Sequence, residues 1–303
     1  MRRASDTEAS APRAATSFPE RAPAEFAYRV AGTGGGGRPG AHRGRALGAG
    51  TDFAGHRRLF DAPDPRRLDV RASLASVPRE WRVRTHRQRA AIALRAVVDV
   101  SASMRFGAKL DVVADFLAAL GHSAFRGGDA AGLEGFDEVA LDALSLAPRT
   151  GRGAGARLVA ALEAARASPG RAGSLAGLAD CLGRVPTPAA ITFVVSDFHV
   201  DLAPLARTLE LAGDTRVVPV VVWSPAEIEP PAGTGWLPLV DAESGRARRV
   251  WLRAATRRAW ADGVRRRREA LDEAFRACDV DAFRIEGAFD ADALSRHFLE
   301  ARA

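Results

Sequence analysis

Residues 91–103 read AIALRAVVDVSAS, in which a mostly apolar run is followed by Asp99, Ser101 and Ser103. A short apolar run of this kind is typical of a strand that is buried on both faces of a parallel sheet. The next segment places apolar residues at three- and four-residue steps, the spacing of one helix face. These residues are Leu110, Val113, Leu117, Leu120 and Ala124. We therefore predict a buried strand that ends at Asp99 and leads into a helix.

The rest of the chain continues this alternation of strands and helices. Apolar runs at 191–195 and 217–223 predict two further buried strands, and segment 254–277 predicts a long helix. Residues 129–136 and 139–146 are interpreted as two strands joined tightly. Strands that alternate with helices form right-handed crossovers, which give a mainly parallel sheet with helices on both faces. This pattern assigns the chain to the α/β class.

The first 90 residues differ in composition from the rest. Residues 1–45 are rich in Ala, Pro, Gly and Arg and include an unbroken glycine run at 34–37. Such a segment buries too little apolar surface to offset the entropy of ordering it, so we expect it to be disordered. Residues 46–90 are expected to form an irregular N-terminal arm, and residues 91–303 the α/β domain.

The composition excludes several classes of protein. The chain has 303 residues, 47% hydrophobic and 27% charged, and its only cysteines are Cys181 and Cys278. Two distant cysteines exclude a disulfide scaffold and a cysteine-rich zinc module. No apolar run is long enough for a membrane-spanning helix, and the N-terminus lacks the apolar core of a secretory signal. We therefore expect a cytoplasmic protein.

The positive charge comes almost entirely from arginine. The formal net charge is +7, and Lys109 is the only lysine among 44 basic residues. We attribute the arginine excess to GC-rich coding. Residues 246–268 hold ten arginines and one acid, Asp262, and most of these are expected to form a solvated helix face. Nucleic-acid binding through this Arg-rich surface stays an alternative that rests on charge alone, since no nucleic-acid motif accompanies it.

The residues that can carry chemistry follow two of the predicted strands. Parallel sheets bind ligands beyond the carboxyl ends of their strands. There Asp99, Ser101 and Ser103 can direct one carboxylate and two hydroxyls into one space, and Asp197 can add a second carboxylate. Hard oxygen donors of this kind suit Mg²⁺ or Mn²⁺. The alternative role for these residues is a helix N-cap, where Ser and Asp accept hydrogen bonds from free backbone N–H groups.

The D-x-S-x-S pattern, with Asp197 after a second strand, resembles the metal-ion-dependent adhesion site of von Willebrand factor A domains. The resemblance implies that fold and a site for Mg²⁺, Mn²⁺ or Ca²⁺, held weakly until a partner donates an acidic residue. In that family a threonine from a loop between the two aspartates also contacts the metal or its water. Thr150 is the only hydroxyl residue in the loop at 148–157 and is the corresponding candidate.

A narrower resemblance rests on residues 64–73, which read DPRRLDVRAS. They resemble the signature D-x-R-x-I-D-W-x-x-S of the bacterial family called domain of unknown function 58, with Val70 in place of the Trp. Further matches are VSDF at 195–198 and LVDAESG at 239–245. The resemblance implies a non-enzymatic partner of MoxR-type AAA+ ATPases. Its metal site would bind an acidic residue of the ATPase or of a client complex that is matured or remodelled.

Two interpretations stay open beside this prediction. Arg66, Arg67 and Arg71, together with Asp69, either pin the N-terminal arm to the domain through ion pairs or form a surface that docks a partner. Asp99 could also be the phosphoryl-accepting nucleophile of a phosphatase-like enzyme. Such enzymes need a second acid where Ser101 stands and a lysine near the site, whereas Lys109 lies inside the following predicted helix. We therefore predict an interaction module and not an enzyme.

Overall fold

The structure is a computed structural model that describes residues 24–29, 39–48, 52–184 and 190–300. Its strands are β1 (Pro39–Gly48), β2 (Asp52–Arg58), β3 (Arg82–Ala90), β4 (Ala93–Asp99), β5 (Ala130–Phe136), β6 (Ala140–Arg149), β7 (Ile191–Ser196), β8 (Arg216–Trp223), β9 (Gly235–Val240), β10 (Ala247–Leu252) and β11 (Phe283–Glu286). Its α-helices are α1 (Val70–Ala75), α2 (Lys109–Gly127), α3 (Ala154–Arg166), α4 (Leu175–Gly183), α5 (Leu205–Glu210), α6 (Pro225–Ile228), α7 (Ala254–Ala277) and α8 (Ala291–Glu300).

Six strands form the central sheet in the order β11-β8-β7-β4-β5-β6. The first five run parallel to one another, and β6 is antiparallel to β5. Nearly every residue of β4 and β7 is buried, which explains their mostly apolar composition. Val98 of β4 pairs with Val195 of β7, so these two strands end side by side. The predicted α/β fold with a mainly parallel sheet is confirmed.

Helices cover both faces of the central sheet, as predicted. Alternate residues of a strand point to opposite faces, and β7 shows the division: Phe193 and Val195 belong to one apolar cluster and Val194 to another. Helices α2, α3 and α8 complete the first cluster, whereas α4, α5 and α7 complete the second. The sheet is therefore enclosed, and its strand ends are the places where polar side chains meet.

Residues 24–29 lie against the core as an extended segment. Phe26 is 2% exposed, and its ring lies 6.4 Å from that of Phe116 and 6.2 Å from that of Phe193. The backbone N of Phe26 donates a hydrogen bond of 2.9 Å to Ser123 Oγ. One aromatic side chain therefore anchors a segment whose average composition indicates disorder.

The expected domain boundary at residue 45 falls inside β1. Strands β1, β3 and β2 form a separate antiparallel sheet in that order. β3 then leads through Ala91 and Ile92 into β4, so this small sheet is joined directly to the central strand. The other residues of segment 1–45 lie outside the described part of the chain.

Candidate metal centre at the ends of the central strands

Asp99 is the last residue of β4 and is 2% exposed. Its carboxylate accepts hydrogen bonds from the backbone N of Ser101 at 2.9 Å and from Ser196 Oγ at 2.7 Å. The hydroxyl oxygens of Ser101 and Ser103 lie 3.2 Å apart. The turn after β4 thus gathers one carboxylate and two hydroxyls, as the spacing predicts.

The alternative role of these residues as caps of α2 does not fit the structure. Helix α2 begins at Lys109, and its N-cap is Ala108, which makes no side-chain cap hydrogen bond. A short 3₁₀ turn, Ser103–Arg105, separates the D-x-S-x-S segment from α2. The side chains of Asp99, Ser101 and Ser103 are therefore not used to satisfy the first turn of that helix.

Asp197 follows β7 directly and is 1% exposed. Its Oδ1 accepts a hydrogen bond of 3.0 Å from the backbone N of His199. The next residue, Phe198, has φ 52°, a left-handed conformation that is costly for a residue other than glycine. The chain continues without helix until α5, so Asp197 does not cap a helix either. A strained backbone at a strand end is a common feature of functional sites.

Asp99 is a buried acid that lacks a neutralising cation. Burial, and after it the negative charge of Asp197, raises the pKa of Asp99 to about 6 from its ordinary value of 3.8, against the hydrogen bonds that lower it. Among the described residues Asp99 takes part in no ion pair. A divalent cation would supply the missing charge, and the donor set of one carboxylate and two hydroxyls fits Mg²⁺ or Mn²⁺. The residues present therefore fit the metal site that the sequence predicts.

Lys109 reaches the same place from the first turn of α2. Its side chain is 1% exposed, and Nζ lies 2.7 Å from Asp197 Oδ2 and 2.6 Å from Glu227 Oε1. Glu227 is held by a capping box in α6, where its Oε2 accepts a hydrogen bond of 2.7 Å from the backbone N of Ser224. Neither residue was assigned to the site from the sequence. The signal for Lys109 was that it is the chain's single lysine.

The structure does not bring Thr150 to this centre. Phe136 of β5 pairs with Asp99, whereas β6 turns back so that its last residue, Arg149, pairs with Ala131. Thr150 is exposed and follows that far end of β6. A strand rises about 3.3 Å per residue, so Thr150 lies at the opposite end of the strands, roughly 20 Å from the centre. The prediction that Thr150 contacts the metal is wrong, because an antiparallel strand carries it away.

A different loop covers Ser101. The loop at 167–174, between α3 and α4, contacts the D-x-S-x-S turn through a hydrogen bond of 2.8 Å from the backbone N of Ala102 to Arg171 O. Gly173 lies so close that a Cβ placed on it would be 3.1 Å from Ser101 Oγ. Ser174 follows and caps α4 by accepting a hydrogen bond of 3.1 Å from Ala176 N. The loop at 167–174, and not the loop that carries Thr150, therefore lies against the centre.

Among the described residues, Arg66 and Arg71 form none of the ion pairs considered for them. Asp69 instead accepts from Arg84 Nε at 2.7 Å and lies 3.0 Å from His56 Nε2. Arg67 pairs with Asp64 within its own turn, while Arg66 and Arg71 are exposed. Asp69 therefore connects the start of α1 to β2 and β3. The docking interpretation of Arg66, Arg67 and Arg71 stays a prediction.

Part of the Arg-rich segment at 246–268 is structural. The Arg267 guanidinium donates to the backbone oxygens of Phe198 and Val200, which fixes the turn after Asp197. Arg268 pairs with Glu286 at 2.6 Å and lies over the ring of Trp223. These arginines support the candidate centre from α7.

Among the described residues, no helix combines the length and apolar character that crossing a membrane requires. The family model described as protein of unknown function DUF58 matches residues 65–270. A search of curated proteins finds no match.

Several solved structures are similar to the chain at low identity. The conserved hypothetical protein BatB from Bacteroides thetaiotaomicron is 12% identical, with a TM-score of 0.44, covering 69% of this chain and 98% of its own. An aerotolerance-related membrane protein from Bacteroides fragilis NCTC 9343 is 14% identical, with a TM-score of 0.44 and the same coverage. A von Willebrand factor type A protein from Catenulispora acidiphila is 16% identical, with a TM-score of 0.36, covering 71% of this chain and 43% of its own. Likenesses of this degree carry no argument about function. Because the family model matches more than half of the chain, the protein belongs to the DUF58 family.

Proposed function

We propose that this protein is a non-enzymatic, metal-dependent protein-interaction module. The observation that carries the proposal is the buried Asp99 carboxylate, which has no ion pair among the described residues and lies beside the Ser101 and Ser103 hydroxyls. A buried charge of this kind is costly unless a cation or a proton neutralises it. A binding site explains why the chain retains it.

In this proposal Asp99, Ser101 and Ser103 hold a divalent cation, with Asp197 as a second carboxylate that acts directly or through water. The cation supplies an open coordination position that accepts a carboxylate oxygen. Of the two hydroxyl residues, Ser101 is fully buried and Ser103 is half-buried. Next to Ser103, Phe106 is 46% exposed and offers an apolar contact to whatever reaches the centre.

The partner that we propose is a MoxR-type AAA+ ATPase, or a client that it matures or remodels, met in the cytoplasm. Family resemblance supports the ATPase, and the chemistry of the site supports an acidic residue as the recognised group. Arg66, Arg67 and Arg71 are proposed as a second contact for the same partner. Exposed apolar side chains, Val70 (55%) and Leu74 (64%), lie beside them on α1 and add to that surface.

Phosphatase-like chemistry is a second candidate that one observation favours. Lys109, which the sequence placed away from the site, is close to Asp197 in the structure. Its ammonium is already paired with two carboxylates, however, and Ser101 stands where such an enzyme needs a second acid. We therefore expect no hydrolysis of p-nitrophenyl phosphate in the presence of Mg²⁺.

The proposal is tested by capture of a purified MoxR-type ATPase from the same genome on immobilised protein. We expect capture in Mg²⁺, and loss of capture both in EDTA and with Asp99→Asn. Asp129→Asn is the matched control. Asp129 is a fully buried acid that directly precedes β5, at the amino ends of the parallel strands and away from the centre. Capture that is equal in Mg²⁺ and EDTA would contradict the proposal.

A further inference from the structure

The single lysine of the chain is enclosed inside the candidate centre. Lys109 Nζ lies 2.7 Å from Asp197 Oδ2 and 2.6 Å from Glu227 Oε1, and the lysine side chain is 1% exposed. A lysine is rarely buried to this degree unless carboxylates neutralise it. These contacts therefore define an internal ion cluster of one ammonium and two carboxylates.

The ammonium occupies a position in which a metal ion would otherwise fit. Asp197, His199 and Glu227 each offer one ligand atom, and these atoms lie within 4.8 Å of one another. Lys109 is already bonded to the carboxylates of two of them. The two oxygens of the Asp197 carboxylate have different partners. Oδ1 accepts a hydrogen bond from the backbone N of His199, and Oδ2 accepts one from Lys109 Nζ.

We infer that Lys109 is a built-in counter-ion that competes with the divalent cation for Asp197 and keeps the metal centre weak in the absence of a partner. This inference rests on the metal centre proposed above. Lys109 acts here as a positioning residue, because it holds Asp197 and not the partner. It adds a means of control to the site: the chain supplies part of the positive charge that a metal would otherwise supply in full.

A count of formal charges gives the direction of the effect. With Asp99, Asp197 and Glu227 ionised, three carboxylates and the Lys109 ammonium carry a net charge of about −2, which one divalent cation balances. Without the ammonium the same residues carry about −3 and attract the cation more strongly. A partner carboxylate adds back the negative charge that Lys109 neutralises, so metal and partner should bind together.

The test is Mn²⁺ binding to the full chain, measured from the electron paramagnetic resonance signal of free Mn²⁺. We compare the wild type with Lys109→Met, which keeps an unbranched side chain, one atom shorter, and removes its charge. Arg265→Gln is the matched control, since it removes one positive charge from an exposed side chain that pairs with Asp262 on α7. We expect Lys109→Met to bind Mn²⁺ at least about tenfold more tightly, and Arg265→Gln to bind it as the wild type does.

A second variant covers the case in which Lys109→Met does not fold, because removing the ammonium leaves two carboxylates unpaired. Lys109→Met combined with Glu227→Gln removes one of them. This double variant should bind Mn²⁺ more tightly than Glu227→Gln alone, in which the Lys109 ammonium still pairs with Asp197. Circular dichroism and thermal unfolding establish which variants fold.

Adding Asp99→Asn separates the two proposals. Tight binding by Lys109→Met that is lost with Asp99→Asn supports both the counter-ion and the Asp99 centre. Tight binding that survives Asp99→Asn supports the counter-ion but overturns the Asp99 centre, since the metal then lies on Asp197, His199 and Glu227. Equal Mn²⁺ affinity of the wild type and Lys109→Met, or of Glu227→Gln and the double variant where Lys109→Met does not fold, overturns the counter-ion. If neither the wild type nor the folded Lys109 variant binds Mn²⁺, the counter-ion and the Asp99 centre are both overturned.

Discussion

The Lys109 ammonium lies 2.7 Å from the Asp197 carboxylate, although the two residues are 88 positions apart in the chain. This ion pair neutralises one of the two buried aspartates at the ends of β4 and β7. Asp99, the other aspartate, accepts hydrogen bonds from Ser101 N and Ser196 Oγ. The two carboxylates therefore differ: Asp197 is paired with an ammonium of the chain, whereas Asp99 takes part in no ion pair among the described residues.

The first prediction concerns the stability of Asp99→Asn without metal. The pKa of Asp99 is raised to about 6, so the folded state binds this proton more tightly than the unfolded state does. The associated stability is present below pH about 4 and is lost as pH rises through 6, at a cost of up to about 3 kcal/mol. Asparagine cannot ionise. Asp99→Asn should therefore raise the free energy of unfolding by about 1–3 kcal/mol at pH 7.5 in EDTA.

Urea unfolding at pH 7.5 and at pH 4.5 measures this effect. The gain from Asp99→Asn should shrink at pH 4.5, where the wild-type carboxyl is largely protonated in the folded state. A variant that is less stable than the wild type at pH 7.5 would show that Asp99 contributes a net structural interaction and is not a strained binding group.

The second prediction concerns stabilisation by metal. A cation that binds only the folded state raises the unfolding free energy, by about 2.7 kcal/mol at a concentration one hundred times its Kd. Mg²⁺ or Mn²⁺ should therefore raise the Tm of the wild type and of Asp129→Asn, but not that of Asp99→Asn. Differential scanning fluorimetry with each ion gives the result. An equal rise in all three proteins would place the ion elsewhere.

The third prediction concerns Phe26, which is 2% exposed and packs against Phe116 and Phe193. Truncating a buried phenylalanine to alanine removes its packing and leaves a cavity, at a cost of about 3–5 kcal/mol. Phe26→Ala should lower the free energy of unfolding by this amount. Phe60→Ala is the control, because Phe60 is 91% exposed. Similar values for the two variants would mean that residues 24–29 do not stabilise the domain.

The fourth prediction concerns Asp69. The N–H of Ala72 and the side chains of Arg84 and His56 hold the pKa of Asp69 well below its ordinary value. Stabilisation by a carboxylate of lowered pKa is present above its ordinary pKa and is lost as pH falls below it. Asp69→Asn should therefore lower the Tm at pH 7, with a smaller effect at pH 3. Arg71→Ala should leave the Tm unchanged. If Arg71→Ala lowers the Tm as much as Asp69→Asn does, Arg71 takes part in the ion pairs considered for it.

The sequence predicts the frame of the fold because its central strands and helices have strong periodic patterns. The apolar runs became β4, β7 and β8, and segment 254–277 became α7. The D-x-S-x-S turn was also predictable, since alternate residues after a strand end share a direction. These features depend only on neighbours in the chain.

The sequence pattern around Thr150 was interpreted incorrectly. The tight connection between strands 129–136 and 139–146 already implied a hairpin. The second strand of a hairpin runs antiparallel and returns the chain to the opposite end of the strands. The loop that lies against the D-x-S-x-S turn comes one helix later, at 167–174, where Ser174 precedes α4. Lys109 and Glu227 could not be assigned, because their meeting beside Asp197 depends on the tertiary fold and not on any spacing in the sequence.

The central claim is that a divalent cation at Asp99 recognises a partner's carboxylate. The most direct test measures the Kd of the purified MoxR-type ATPase for this protein as free Mg²⁺ is varied, with wild type, Asp99→Asn and Asp129→Asn. Linkage requires that metal and partner strengthen each other's binding by the same factor. We predict an affinity that rises with Mg²⁺ in the wild type and in Asp129→Asn and that stays weak in Asp99→Asn. Tight binding that is independent of Mg²⁺ and of Asp99 would contradict the account.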